Sequence, residues 1–346
     1  MKKITRLLLL AAISIGMVAC SNDDVPQTPE SLRGTTYASI AVTLPKAPST
    51  RTLPDDYNKL PDWEGIDAIK TITVFLVNET LGTIDHSTFG TSQFESIDNG
   101  VLKPNLAVKG TPGEAVKAYV VLNGNGDVLT TLKGTTPGAF AGVYATAVAK
   151  NARDLASNDG TNDVIMMTNT VLPTAIEILP NVSEEDAKAG NKNSVKVKVE
   201  RVVSRAIATV AAAAKSTVIP VKDAMDVKQS EITIQSVSYV VGQSNKEFFL
   251  TKKTDWTTPA AVYGHVPSVD TWNPALFDNT GLAKSIAMKE ATGAAALVDF
   301  NTALTTELAD SKFVLPVTHE DDKYEKGNTT FFEVIAIFTP DLVDGA

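Results

Sequence analysis

The sequence predicts a mainly β protein. Valine, threonine, glycine and proline are frequent, and several runs of β-branched residues have the length and alternation of strands. No long apolar run follows the N-terminal region. Of the 346 residues, 43% are hydrophobic and 21% are charged, a balance that supports a packed core rather than disorder. At about 150 residues per domain, this length predicts about two domains.

The first 19 residues have the pattern of a secretory signal peptide. Lys2, Lys3 and Arg6 are positively charged, and an apolar run from Leu7 to Ala19 follows them. A membrane-spanning helix needs about 20 apolar residues, so this run is too short to span a bilayer. We therefore expect the segment to be removed during secretion.

The only cysteine of the chain, Cys20, directly follows this signal, so no intramolecular disulfide can form. The residues before it resemble the end of a lipoprotein signal, although Met17 stands where leucine is usual. We predict cleavage between Ala19 and Cys20 and acylation of Cys20, including palmitate. Each buried CH₂ of an acyl chain contributes about 0.8 kcal/mol, so several chains would anchor the protein firmly to a membrane. An ordinary signal peptide followed by a chance cysteine is the alternative.

A short strand is predicted immediately before a linker rich in proline. On one face it carries Ala38, Ile40, Val42 and Leu44, and the intervening residues lie on the other face. This period of two is typical of a strand with one buried face. Pro45 ends the strand because proline cannot donate a ladder hydrogen bond.

The linker after this strand contains Arg51, and we expect proteases to reach it. Cleavage between Arg51 and Thr52 would make the preceding segment a removable strand. Its loss would leave a hydrophobic groove with unpaired backbone groups, which a strand from another molecule could fill. Lys46 is a competing site for a trypsin-like protease of broader specificity, and a surface arginine without any role is the alternative for Arg51.

Further β-branched runs predict strands along the rest of the chain. They lie at 69–78, 117–122, 164–168, 176–179, 195–203, 231–241, 313–318 and 329–338. Within one of them, valines at 195, 197 and 199 alternate with charged residues, which predicts one buried and one solvated face. Apolar spacing predicts a helix over 142–156 and helical runs within 283–308, and one of the adjacent residues Phe331 and Phe332 is expected in the core.

Several functional classes are disfavoured by composition and spacing. The net charge is −9, with 31 basic and 40 acidic residues, so a nucleic-acid partner is not expected. His86, His265 and His319 are far apart, and nothing places them beside a nucleophile, so the chain is predicted not to be an enzyme. The glycine-containing turn at 123–127 lacks the third glycine of a dinucleotide site. The acidic stretch at 319–322 fits no known metal-binding loop, and we predict neither a metal nor a cofactor.

An ordered set of landmarks resembles the Bacteroidales fimbrial subunit (fimbrillin) family, most closely its short-fimbria major subunit branch. Besides the lipoprotein signal and the strand ASIAVTLP with its basic cleavage site, the set comprises GIDAIKTITVFLVN (65–78), IMM…LPTAIEILPNVS (165–183), VKVERVVSRAIATV (197–210) and THEDDKYEKGNTTFFEV (318–334). These landmarks cover most of the chain in the order of the family.

The resemblance implies two consecutive transthyretin-like β-sandwich domains with a few short helices. Its divisions are a lipoprotein signal peptide (1–19), a lipidated propeptide with the removable strand (20–51), an N-terminal sandwich (52–205) and a C-terminal sandwich (206–346). It favours a strand within the alanine-rich segment 206–215, where propensity alone favours a helix. Family members continue well beyond the strand that corresponds to 329–338, so the second sandwich is expected to be incomplete at its C-terminus.

The resemblance also implies a function. The chain would be a structural subunit of a surface fimbrium, exported as a lipoprotein to the outer membrane through Cys20 and supporting adhesion. An arginine-specific protease would cleave at Arg51, and donor-strand exchange with other fimbrial subunits would build a polymer, expected to be a homopolymer. The alternative is a surface lipoprotein adhesin that does not polymerise, or an accessory or tip subunit of a fimbrium.

Overall fold

The computed structural model describes residues 33–45, 68–97, 101–159, 163–206, 208–211, 217–251, 275, 277–279, 285–291, 313–315 and 329–342. The strands of the first half are β1 (Thr36–Thr43), β2 (Thr71–Asn78), β3 (Thr83–Gly90), β4 (Phe94–Ile97), β5 (Val101–Pro104), β6 (Val108–Gly110), β7 (Gly113–Leu122), β8 (Ala147–Ala149), β9 (Ala156–Asn158), β10 (Asp163–Ile165), β11 (Met167–Asn169), β12 (Ile176–Ile178), β13 (Ser194–Arg201) and β14 (Ser204–Arg205).

The strands of the second half are β15 (Thr209–Ala211), β16 (Val218–Lys222), β17 (Lys228–Gly242), β18 (Ser244–Asn245), β19 (Glu247–Phe249), β20 (Phe277–Asp278), β21 (Ile286–Ala287), β22 (Lys289–Ala291), β23 (Phe313–Val314) and β24 (Phe331–Leu342). The helices are short: α1 (Gly126–Lys133), α2 (Pro137–Ala145), α3 (Ala152–Leu155), α4 (Glu184–Lys188) and one 3₁₀ turn (Thr91–Gln93). The prediction of a mainly β protein with a few short helices is confirmed.

Ten strands of the first half form one curled sheet. Its order is β3-β2-β7-β11-β13-β1-β5-β4, with β12 also paired to β7 and β6 also paired to β1. In β13, the predicted alternation is confirmed: Val195, Val197 and Val199 are buried, whereas Lys196 and Lys198 are exposed. The strand therefore turns its valines to the core and its lysines to solvent.

Strand β2 is buried on both faces and separates two hydrophobic cores. Its Phe75 and Val77 belong to an aromatic core together with α1, α2 and α3. Its Ile72, Val74 and Leu76 belong to an aliphatic core that also contains the inward residues of β1, β7 and β13. The sheet thus curls so that β1 and β13 share a core with β2 and β7. A strand that is buried on both faces has consecutive apolar residues, as β2 has from Val74 to Val77.

A hydrogen-bond network ties α2 to the sheet inside the aromatic core. The Tyr144 hydroxyl donates to the carbonyl of Val120 over 3.1 Å and lies 3.2 Å from Oδ1 of Asn169. Asn169 Oδ1 accepts from Val120 N–H at 2.7 Å, and its Nδ2 donates to the Ala118 carbonyl at 3.1 Å. Burial raises the pKa of Tyr144 above its ordinary value. Burial, and to a smaller degree the charge of Glu79, raises the pKa of Tyr119 to about 12.

The prediction of one helix over 142–156 is wrong for residues 146–151, which are not helical. Helix α2 ends at Ala145, and the chain forms β8 before a single turn of helix at α3. Strand β8 pairs antiparallel with β19, with Ala147 opposite Phe249, and Val148 packs against the aromatic core. Pairing with a distant strand therefore overrides the local helical spacing.

In the second half, the predicted strands over 231–241 and 329–338 are confirmed as β17 and β24, which pair antiparallel over most of their length. Phe331 and Phe332 are 37% and 42% exposed, so neither is a core residue and that expectation is wrong. Phe332 instead packs edge-on against Tyr239, with ring centroids 5.6 Å apart.

Two further expectations for the second half have different outcomes. Strand β15 lies within 206–215, as the resemblance implied. The helical runs expected within 283–308 are wrong where the structure describes that segment, because residues 285–291 contain β21 and β22. Pairing explains this difference, since β21 pairs with β17 and β22 pairs with β15.

The two predicted domains share core residues. Phe248, Leu250, Phe313 and Leu315 belong to the aromatic core of the first half. Strand pairs β8–β19 and β14–β23 also cross position 205. The boundary at 205/206 and the incomplete second sandwich stay predictions. In the structure, the described parts of both halves contribute residues to the aromatic core.

Candidate functional site

Strand β1, the predicted removable strand, lies in the interior of the curled sheet. Residues 39–43 pair in parallel with 194–198 of β13. On its opposite edge, Val42 and Thr43 pair antiparallel with β5, and residues 36–38 pair antiparallel with β6. Both edges of β1 therefore have hydrogen-bonding neighbours, and its removal would expose strand edges on both sides.

The inward side chains of β1 are among the most buried in the protein. Ala38, Ile40 and Val42 are 0%, 1% and 0% exposed, and Leu44 packs against the same aliphatic core from the end of the strand. Full burial of a side chain such as Ile or Val stabilises the folded state by about 1.5–3 kcal/mol. The strand is thus an integral part of the aliphatic core.

The outward face of β1 is covered near its N-terminal end. Tyr37 packs against a small cluster formed by Ala107, Val182 and Ala187. Ala187 belongs to α4, and Ser183 caps that helix by accepting a hydrogen bond from the Asp186 N–H. Helix α4 and the preceding loop therefore close over the first residues of β1.

Five residues at this end form a partly buried cluster of hydrogen bonds, which we call the Thr36 network. The Thr36 hydroxyl donates to the carbonyl of Leu179 at 2.7 Å and accepts from the Val182 N–H at 3.1 Å. Asn193 Nδ2 donates to the carbonyls of Tyr37 and Leu179 at 2.9 and 3.0 Å, and lies 3.3 Å from the Thr36 hydroxyl. Asn193 Oδ1 accepts from the Leu179 N–H at 2.8 Å. The network joins β1 to the segment that precedes β13.

Backbone hydrogen bonds extend the same connection. Tyr37 N–H donates to Val182 O at 3.2 Å, and Ser39 N–H donates to Asn193 O at 3.0 Å. Strand β13 begins only at Ser194, so Val182, which precedes α4, and Asn193, which directly precedes β13, supply the partners that β13 cannot reach. The bonding of β1 along this edge therefore continues past the end of its neighbouring strand.

Sequence reasoning missed Thr36 and Asn193. Asn193 has a φ of 48°, in the left-handed region, which asparagine tolerates better than most residues. Its position two residues before an alternating valine run could have indicated a turn there. Nothing in the sequence, however, indicates that its amide reaches a threonine 157 positions earlier.

The other predicted site residues lie outside the described residues. These are Ala19 and Cys20 at the predicted signal cleavage and lipidation site, and Arg51 and Thr52 at the predicted maturation site. The competing site Lys46 and the acidic stretch 319–322 also lie outside them. The described residues continue from Ala68, so they include the predicted removable strand and its neighbours but not the predicted cleavage site.

Two properties of the described residues bear on other functions. No helix there is long and apolar enough to cross a membrane. In the same part of the chain, no three or more His, Cys, Asp or Glu side chains are grouped so that they could hold a metal ion. The glycine-containing turn after β7 leads into α1, where Asn125 caps the helix by accepting from the Asp127 and Val128 N–H groups.

Comparison with known proteins gives sequence relatives but no matching family model. Two curated forms of the minor fimbrium subunit Mfa1 of Porphyromonas gingivalis are each 28% identical to the chain over 357 aligned positions. Each alignment covers 96% of this chain and 66% of the relative. The chain therefore spans about two thirds of the length of these relatives.

Two solved structures align with most of this chain at low overall similarity. A candidate cell adhesion protein from Parabacteroides distasonis has a TM-score of 0.43 at 14% identity, with 90% of this chain and 82% of that one covered. The tip fimbrial protein Mfa3 of Porphyromonas gingivalis has a TM-score of 0.36 at 12% identity, with 90% and 83% covered. The sequence relatives confirm the resemblance to fimbrial subunits, and the short-fimbria major branch stays a prediction.

Proposed function

We propose that this chain, a relative of the Bacteroidales fimbrial subunits, is a structural subunit of a cell-surface fimbrium that assembles by exchange of its first strand. The observation that carries the proposal is the position of β1. It is buried in the aliphatic core, paired on both edges, and followed in sequence by a segment that contains Arg51. In this arrangement, cutting one backbone bond turns an intramolecular strand into a separable one.

The tethered strand keeps the groove closed before cleavage. A strand held on the same chain occupies its groove at a high effective concentration, so an incoming strand cannot compete. Burial of Ile40 and Val42 together stabilises the occupied groove by several kcal/mol, so release of the strand is unfavourable without a cut. After cleavage this advantage is lost, and a strand from another subunit can take the same backbone partners and apolar pockets.

Lipid-mediated export completes the proposal. The lone cysteine directly after the signal would carry the acyl chains that hold the precursor at the outer membrane until an arginine-specific protease releases it. A Cys20→Ala variant is expected to lose incorporation of labelled palmitate and to miss the cell surface. Labelling that persists in this variant would contradict the lipoprotein route but would leave strand exchange standing.

The test of strand exchange uses cleavage-site variants. Surface-shed wild-type protein is expected to begin at Thr52 and to give a ladder of high-mass species on mildly heated gels. The Arg51→Ala variant should keep its fold, retain the strand and give no ladder, whereas the matched control Lys46→Ala should behave as wild type. A ladder unchanged in Arg51→Ala would contradict the proposal. A wild-type protein that is cut at Arg51 but stays monomeric would favour the surface adhesin that does not polymerise.

A further inference from the structure

The groove that holds β1 has a polar position at one end. Along its inner face the groove receives apolar side chains, namely Ala38, Ile40 and Val42. At the N-terminal end it presents the Leu179 carbonyl, the Val182 N–H and the Asn193 amide to a single hydroxyl, that of Thr36. The inward side chains of a strand in this groove therefore meet an apolar surface along most of its length. Only the first of them, at position 36, meets hydrogen-bonding groups.

The hydrogen bonds from Val182 and Asn193 to the Thr36 hydroxyl are shielded from water, whereas Leu179 is 37% exposed. Thr36 is fully buried, Val182 is 3% exposed and Asn193 is 8% exposed. A buried donor or acceptor without a partner costs about 1–3 kcal/mol because no water replaces the lost bond. An occupant with an apolar side chain at this position would leave the Val182 N–H without its hydroxyl acceptor and would remove a donor from the Leu179 carbonyl.

We propose that the Thr36 position selects the strand that the groove accepts: the occupant needs a serine or threonine there. This inference rests on the proposed function, because it concerns the strand that replaces β1 from another subunit. The partner is thereby defined by its chemistry. It is an extended segment with a hydroxyl at its first position and apolar residues at alternate positions after it.

The Thr36 network also fixes the direction in which a replacement strand runs. Strand β1 is parallel to β13, and Ser39 to Thr43 pair in order with Ser194 to Lys198. The network lies beyond the N-terminal end of this ladder. A strand in the opposite direction would place its first hydroxyl at the far end of the groove, away from Leu179 and Asn193. The accepted strand therefore runs parallel to β13.

The experiment measures peptide uptake by the full chain. The chain is cleaved after Arg51, unfolded in guanidinium and refolded with an excess of a fluorescently labelled peptide of residues 33–45, and uncleaved chain serves as the occupied control. Binding is followed by fluorescence anisotropy for the wild-type peptide and for its Thr36→Ser, Thr36→Val and Thr43→Val forms. Thr43→Val is the matched control, because Thr43 lies at the other end of β1 and is half-buried.

We expect the serine form and the Thr43→Val form to bind within about threefold of wild type, and the Thr36→Val form to bind at least about tenfold more weakly. Equal binding of the Thr36→Val form would overturn the selection proposal while strand exchange stands. If the serine form binds as weakly as the valine form, the selection proposal is also overturned, because serine keeps the hydroxyl and should bind like threonine. No uptake of the wild-type peptide by cleaved chain would overturn the proposed function together with this inference.

Discussion

The side-chain amide of Asn193 lies 3.3 Å from the hydroxyl of Thr36, and this buried contact belongs to the Thr36 network at the end of β1. Asn193 directly precedes β13, the parallel neighbour of β1. Asn193 thus lies directly before the strand that pairs with β1, and its side chain also bonds the first side chain of β1. The stability of the groove and its occupation by a strand are therefore coupled at Asn193.

Replacement of Asn193 by glycine tests this coupling in the intact chain. Glycine keeps the left-handed backbone available, so the variant removes the side chain without adding backbone strain. We expect a loss of about 2–3 kcal/mol in urea unfolding, because the Leu179 N–H and the carbonyls of Leu179 and Tyr37 lose a buried partner. A loss below about 0.5 kcal/mol would contradict a structural role for this amide. The control Lys192→Ala, at an exposed neighbouring residue, should stay within about 0.5 kcal/mol of wild type.

Truncation of Ile40 tests how strongly β1 is held. Ile40→Ala removes fully buried methyl groups and should destabilise the chain by about 2–5 kcal/mol. After cleavage at Arg51, the variant should release its strand faster than wild type, as followed by size-exclusion chromatography. Ala41→Ser, on the half-buried outward face, is the matched control and should release its strand at the wild-type rate. Equal release rates for Ile40→Ala and wild type would show that burial of this side chain does not retain the strand.

Two buried tyrosines predict a loss of stability in alkali. Burial raises the pKa of Tyr144, and burial and Glu79 raise the pKa of Tyr119 to about 12, above the ordinary value of 10.0. The unfolded chain therefore loses these protons first as the pH rises. The stability they contribute is complete below about pH 10 and falls as the pH rises towards 12.

Phenylalanine variants separate this titration from hydrogen bonding. Tyr119→Phe should change stability little at pH 7, because the Tyr119 hydroxyl has no hydrogen-bond partner among the described residues. Tyr144→Phe should lose about 0.5–1.5 kcal/mol at pH 7 with its bonds to Val120 and Asn169. Both variants should show a shallower decline in urea midpoint between pH 10 and 12. A decline as steep as that of wild type in both would contradict the assignment.

The shared aromatic core predicts that the two halves stabilise each other. Phe248 is fully buried in that core, although it lies beyond the predicted boundary at 205/206. Phe248→Ala should cost about 3–5 kcal/mol and should reduce hydrogen-exchange protection in β7 as well as in β19. Loss of protection confined to the second half would show that the halves are independent. Phe332→Ala, at a partly exposed residue, is the control and should leave β7 unchanged.

The periodic features of the sequence predicted the strands that hold the site. Alternation at Val195, Val197 and Val199 indicated β13, and alternation at Ala38, Ile40 and Val42 indicated β1, because a half-buried strand imposes a period of two. Pairing partners have no such local signal. The interruption of the helix at β8 depends on β19, about 100 residues away, and the Thr36 network depends on loop residues far along the chain. Such contacts arise only when the sheet has curled.

The most direct test of the account is the strand content of the assembled polymer. Fimbriae are purified from the wild-type strain, dissociated completely and analysed by mass spectrometry for segments 36–43 and 52–67 of this chain. Exchange of β1 predicts subunits that begin at Thr52 and a polymer that lacks the segment 36–43. A polymer that retains 36–43 in a one-to-one ratio with the rest of the subunit would contradict the removal of the strand from its groove.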